Sequence, residues 1–77
     1  MAVVFHLVSA GCVEIAEEAM RDIARTHIEE GLSASQSLEQ ILTANPAGAN
    51  DQHFQTMYCL VFARVRIAMR SKKADAR

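Results

Sequence analysis

Residues 51–71, DQHFQTMYCLVFARVRIAMRS, decide how the rest of the chain is read. Phe54, Met57, Tyr58, Val61, Val65, Ala68 and Met69 recur at helical spacing and make one stripe. Cys59, Leu60, Phe62, Ala63 and Ile67 spread apolar surface around the remaining circumference, so from 57 to 63 the helix is hydrophobic all round. Such a helix lies at the centre of a bundle or at an interface. Asn50 or Asp51 supplies its N-cap. Arg64, Arg66, Arg70, Lys72 and Lys73 bring positive charge to its C-terminal end, where the helix dipole favours it. Residues 73–77 are expected as a frayed basic tail.

Two further helices are expected upstream. Residues 10–30 place Cys12, Ile15, Ala16, Ala19, Ile23 and His27 or Ile28 in one stripe. Glu14, Glu17, Glu18, Arg21, Asp22 and Arg25 lie away from it. Glu17 and Glu18 precede Arg21 and Arg25, the favourable order for charge pairs on a solvated face. Gly31 is the expected C-terminal stop. Residues 33–45 open with Ser33 and Gln36 at capping-box spacing. Leu38, Ile41 and Leu42 form the apolar edge of this helix. It ends at Asn45-Pro46, because proline disfavours helical geometry in the residue before it.

The opening segment, residues 2–8, is apolar and ambiguous. Its β-branched content suits a strand, yet Val4, Leu7 and Val8 continue at helical spacing into Cys12, Ile15, Ala19 and Ile23. A lone strand leaves its backbone groups unpaired. With no second strand in view, helix is the preferred reading, running into the next segment, and an extended segment is the alternative. The fold class that results is all-α: one domain over residues 1–77, a small three-helix bundle with an extended or helical N-terminal segment, expected as a helical homodimer.

Bulk composition agrees with that architecture. The chain has 77 residues, 51% of them hydrophobic and only 5% aromatic, so aliphatic side chains and methionine must build the interior. A chain of this size buries only about 60% of its unfolded surface, and small domains commonly add a staple or a second copy. The net charge of −1 hides two unlike halves. Residues 1–40 hold seven acidic and two basic side chains, whereas residues 41–77 hold two acidic and six basic. The layout suits an acidic helix packed against a basic one, within a chain or between copies.

Cys12 and Cys59 sit in apolar surroundings and are expected as small buried hydrophobes, reduced, in a cytoplasmic protein. The N-terminus has no basic region, and His6 and Ser9 interrupt its apolar stretch. No apolar run reaches membrane-spanning length, so no membrane partner is expected.

The chemistry on offer is sparse. No nucleophile stands in a recognised catalytic motif, and there is no glycine-rich phosphate loop, so the chain is read as non-enzymatic. His27 and Glu30 lie three apart, with His53 or Cys59 as remote candidates, but no Cys-x-x-Cys or His-x-x-x-His occurs. Neither a metal nor another cofactor is expected. Arg66, Arg70, Lys72 and Lys73 could touch phosphates, yet a recognition helix needs a polar surface, and the pI of 6.3 is well below that of typical nucleic-acid binders.

Protein–protein association is therefore the leading function: an adaptor, regulator or inhibitor that docks a helical face onto a larger protein. Tyr58, Phe62, Arg66 and Met69 are the expected contact residues, since aromatic, arginine and methionine side chains are enriched at interfaces. The alternatives are a nucleic-acid or nucleoprotein regulator acting through the basic end of the third helix, and a self-assembling structural subunit.

Overall fold

The computed structural model describes residues 4–75, with side chains described through Ser71. It is helical throughout, and no strand occurs among the described residues. Four α-helices follow in order: α1 (Val4–Ser9), α2 (Val13–Glu29), α3 (Ala34–Ala44) and α4 (Gln52–Asp75), with a 3-10 turn at Pro46–Asn50 before α4. The fourth helix is the N-terminal segment, which takes the helical of its two expected forms. The N-terminal segment is helical from Val4, but it does not run into α2.

Gly11 is the reason. It adopts φ +84°, a left-handed conformation that a side chain resists. The Cys12 N–H donates to the Leu7 carbonyl (2.9 Å) and the Gly11 N–H to the Val8 carbonyl (3.1 Å), the paired bonds of a Schellman stop. The same device closes α2. Gly31, at φ +83°, donates to the Ile28 carbonyl, and Leu32 donates to the His27 carbonyl, both at 3.0 Å.

A helix of six residues cannot stand alone in water. Tertiary contacts hold α1 in place. The Phe5 N–H, an orphan donor of its first turn, donates to Asn45 Oδ1 at 3.1 Å. Asn45 is itself buried and donates from Nδ2 to the Ile41 carbonyl. Phe5 meets Phe54 edge to face, with ring centroids 5.4 Å apart, and Val4 is fully buried.

The boundaries of α3 and α4 follow their local chemistry. Ser33 Oγ accepts from the Gln36 N–H while Gln36 Oε1 accepts from the Ser33 N–H, completing the capping box. Pro46 opens the 3-10 turn, whose Gly48 and Ala49 carbonyls both accept from Gln55 Nε2. Asp51 Oδ1 accepts from the Phe54 N–H and so caps α4. That helix continues to Asp75, beyond the expected end at Ser71.

The most extensive packing is between α2 and α4, with α1 lying on α2 and α3 on α4. The core consists of Val4, Ala16, Met20, Ala24, Ile41, Phe54, Tyr58, Val61 and Phe62. On α2 the buried row is Ala16, Met20, Ala24 and His27; of the expected stripe, Ala16 and His27 are in it, Ala19 and Ile23 pack half-buried at its edge, and Ile15 stands one residue before it. One residue is a rotation of about 100°, enough to leave Ile15 58% exposed. Alanines at 16 and 24 present little bulk, which lets the aromatic side of α4 approach α2. On the solvated side Glu17 pairs with Arg21 (3.9 Å) and Asp22 with Arg25 (3.7 Å), exposed contacts that contribute little.

Candidate interaction surface

The polar centre of the molecule is a chain of three side chains from three helices. His27 Nδ1 lies 2.7 Å from Ser37 Oγ, and Ser37 Oγ lies 2.5 Å from the Tyr58 hydroxyl. α2, α3 and α4 are tied together at this point. Burial pushes the Tyr58 phenol above its ordinary range, and the Ser37 hydrogen bond only partly opposes that. Tyr58 is therefore a neutral phenol, free to donate to Ser37.

The Ser–His pairing resembles half of a nucleophilic site, but its setting is wrong for one. Ser37 and Tyr58 are 0% exposed and His27 is 5% exposed. The Ser37 hydroxyl is closed to solvent in this fold. The three groups satisfy one another, and no buried side-chain nitrogen or oxygen lacks a partner among the described residues.

The expected contact residues divide. Tyr58 and Phe62 are core residues, 0% and 1% exposed, and this corrects their placement at a surface. They are large, apolar and on the side of α4 that faces α2 and α3, where burial is worth most. Arg66 is half-buried, its guanidinium 5.4 Å from the Phe62 ring centroid in cation–π geometry. Met69 is half-buried. Of the proposed phosphate contacts, Arg70 is exposed, while the side chains of Lys72 and Lys73 lie outside the described residues.

Cys12 and Cys59 are both exposed free cysteines, which corrects the expectation of buried thiols. Cys12 sits in the turn after α1, and Cys59 follows Tyr58 by one residue, which turns it away from the core. Among the described residues no group of three or more His, Cys, Asp or Glu is placed to hold a metal ion. His27 is taken up by Ser37, and His53 stands apart at the start of α4. No described helix is long and apolar enough to cross a membrane.

What the molecule does present is apolar. Val13, Ile15, Leu60 and Ile67 are 43%, 58%, 53% and 65% exposed. Leu60 and Ile67 are two turns apart on one side of α4, the side opposite the core row of Phe54, Tyr58, Val61 and Phe62. Between α2 and α4 lies a shallow groove of about 270 Å³ lined by Val13, Met57, Leu60 and Val61 together with Glu17, His53 and Arg64. Surplus apolar surface is expected on this helix, and its exposed part lies at Leu60 and Ile67, flanked by Arg64 and Arg70, rather than at the buried Tyr58 and Phe62.

No protein-family model, no curated protein and no solved structure matches the chain.

Proposed function

We propose that the protein is a small non-enzymatic protein-binding module, an adaptor, regulator or inhibitor that works by docking the outward side of α4 onto another protein. One observation carries the reading. Leu60 and Ile67, more than half exposed, stand in one row on the side of the longest helix that the fold does not use, next to the apolar groove at Val13 and Met57. Isolated exposed apolar residues are ordinary, whereas an apolar surface aligned along one element is the usual mark of a contact site. Two exposed free thiols suit a reducing compartment such as the cytoplasm.

The test compares the native chain with Leu60→Ser/Ile67→Ser as bait in a pull-down from the source organism's lysate. A stoichiometric protein held by the native chain and released by the double variant is the expected result. Both residues are exposed, so the variant should keep its helicity and thermal midpoint within ordinary surface-mutation limits of about 0.5 kcal/mol. A captured protein indifferent to the double variant moves the site elsewhere.

A second reading follows from the charge of α4, which has no acidic residue between Asp51 and Asp75 but carries Arg64, Arg66, Arg70, Lys72 and Lys73. In that reading the basic end of α4 binds nucleic acid, and affinity falls steeply with salt. A homodimer or larger self-assembly is the third, visible as a mass that rises with concentration in light scattering.

A further inference from the structure

The outward side of α4 carries Thr56, Leu60, Ala63 and Ile67, at intervals of four, three and four residues. On a helix those intervals make a narrow apolar seam of the kind that receives a second helix. Thr56, Leu60 and Ile67 are exposed and Ala63 is half-buried.

The width separates a helix from a lipid surface. Membrane-surface helices present a broad apolar face, commonly with aromatic residues. This seam has one large apolar residue every second turn and no aromatic ring. In shape, Ala63 leaves a shallow place between Leu60 and Ile67 into which a knob from a facing helix can sit.

Charge separates another protein from a second α4. Arg64 borders the seam on one side and Arg70 on the other, and both are exposed. Among the described residues the ion pairs are Glu17–Arg21 and Asp22–Arg25; Glu17 lines the same groove as Arg64, but no described carboxylate is within ion-pair distance of Arg64 or Arg70. With no acidic residue from 52 to 74, two α4 helices laid against each other have only like charges at their flanks. Like-charge juxtaposition opposes such pairing.

We infer that the seam receives an amphipathic helix of another protein, one with apolar residues at three- and four-residue intervals and Asp or Glu on both flanks. This rests on the binding-module reading and names the partner's chemistry. Leu60 and Ile67 supply the buried anchors, Ala63 the close approach, and Arg64 and Arg70 the selection for acidic flanks. The partner's apolar residues supply contact area, and its carboxylates set orientation and exclude basic helices.

The test uses the full chain and two labelled three-heptad peptides, both with Ile at a and Leu at d, one with Glu at e and g and the other with Lys. Binding is read by fluorescence anisotropy at about 50 and about 300 mM salt, where screening differs strongly. The expected result is a preference of about tenfold or more for the Glu peptide, reduced at the higher salt. Arg64→Glu/Arg70→Glu should invert the preference, and Leu60→Ser/Ile67→Ser should weaken both peptides by about tenfold or more.

Equal binding of the two peptides, or binding of neither, overturns the inference. So does preferential binding to vesicles containing phosphatidylserine. Self-association of the chain alone that Leu60→Ser/Ile67→Ser abolishes also overturns it, since a second copy then covers the seam, with the acidic outer side of α2 as its counterpart. A protein captured from lysate by the native chain and by both double variants alike removes this inference and leaves the binding-module reading standing.

Discussion

Replacing Ser37 with alanine should be the most damaging removal of a single oxygen atom in this protein. Ser37 is 0% exposed and joins His27 to Tyr58, at 2.7 and 2.5 Å. Without its hydroxyl, both neighbours remain buried and lose their partner. An unsatisfied buried polar group costs about 1–3 kcal/mol, so the two together cost about 2–6 kcal/mol. The void is the size of one oxygen and leaves little room for a bridging water. A domain of this length has about 4–12 kcal/mol in total, at 0.05–0.15 kcal/mol per residue. With a fall of about 4–8 °C per kcal/mol, the thermal midpoint should drop by roughly 8–48 °C.

The assay is urea unfolding followed by circular dichroism, with an unchanged denaturant slope as the check that the folded and unfolded states still differ by the same surface. The decisive comparison is with Tyr58→Phe. Alone, that change removes one bond and leaves Ser37 paired with His27, a cost of about 0.5–1.5 kcal/mol. Added to Ser37→Ala, it removes the orphaned phenol. The double variant should therefore be about 1 kcal/mol more stable than Ser37→Ala alone, a coupling of opposite sign to simple addition. A Ser37→Ala variant that loses less than about 0.5 kcal/mol, or a double variant that is the less stable of the two, would refute the three-residue chain.

Other changes probe the turns and the phenol. Gly48→Ala places a Cβ 2.5 Å from Cδ2 and 2.6 Å from Cε2 of Phe54, a ring fixed in the core, and should cost about 1–3 kcal/mol by overpacking, read as a lower urea midpoint. Gly31→Ala meets open space but forces a side chain into φ +83°, so about 1–2 kcal/mol should be lost with no repacking of neighbours, visible as unchanged core chemical shifts. Tyr58 is the only tyrosine and there is no tryptophan, so absorbance at alkaline pH reads this phenol alone. Because its folded-state pKa is raised, the unfolded chain releases the proton first. Stability from the neutral phenol should be complete below about pH 10 and decline as pH rises above that value toward the folded pKa. Tyr58→Phe should remove that part of the alkaline loss, and a native phenol that titrates at the unfolded value would contradict it.

The turns were legible because each depends on one or two residues acting locally. Ser33 with Gln36, Gly31, Asp51 and Pro46 all do in the fold what their chemistry requires in isolation. The separation of α1 from α2 was less legible. Ser9-Ala10-Gly11 marks a division of the chain, while a continuous helical spacing from Val4 to Ile23 runs across it. The stabilisation of α1 by Asn45 was not legible at all, since forty residues separate the donor from the acceptor. Nothing local to Asn45 distinguishes a tertiary cap from a helix-ending asparagine.

The buried row of α2 was legible at Ala16 and His27 but not at Met20 and Ala24, for a related reason. Periodicity weights large apolar residues, so Ile15 and Ile23 drew the stripe toward themselves, whereas packing density rewards small residues where helices approach closely. Ala16 and Ala24 therefore take the buried row, with Met20 filling between them. The burial of Tyr58 and Phe62, expected at a contact surface, reflects the same ambiguity. Aromatic side chains are enriched at interfaces and in cores alike, and their type alone does not say which.

Which side of α4 faces inward is nevertheless written in its flanks. Turn the helix half a revolution and Thr56, Leu60, Ala63 and Ile67 would enter the core, an apolar set that by hydropathy alone looks acceptable. The rotation would carry Arg64 and Arg70 toward the interior with no acidic partner on α4 between 52 and 74, and buried unpaired charges cost several kcal/mol each. It would also withdraw the Tyr58 hydroxyl from Ser37 and expose Phe54 and Phe62. The observed orientation avoids all of these costs, and what it gives up is only the burial of Leu60 and Ile67. At about 25 cal/mol per Å², that forgone burial is a few kcal/mol. The same arginines that keep the seam outside the monomer border it there, so the residues that fix the fold of α4 also set the charge any occupant must match.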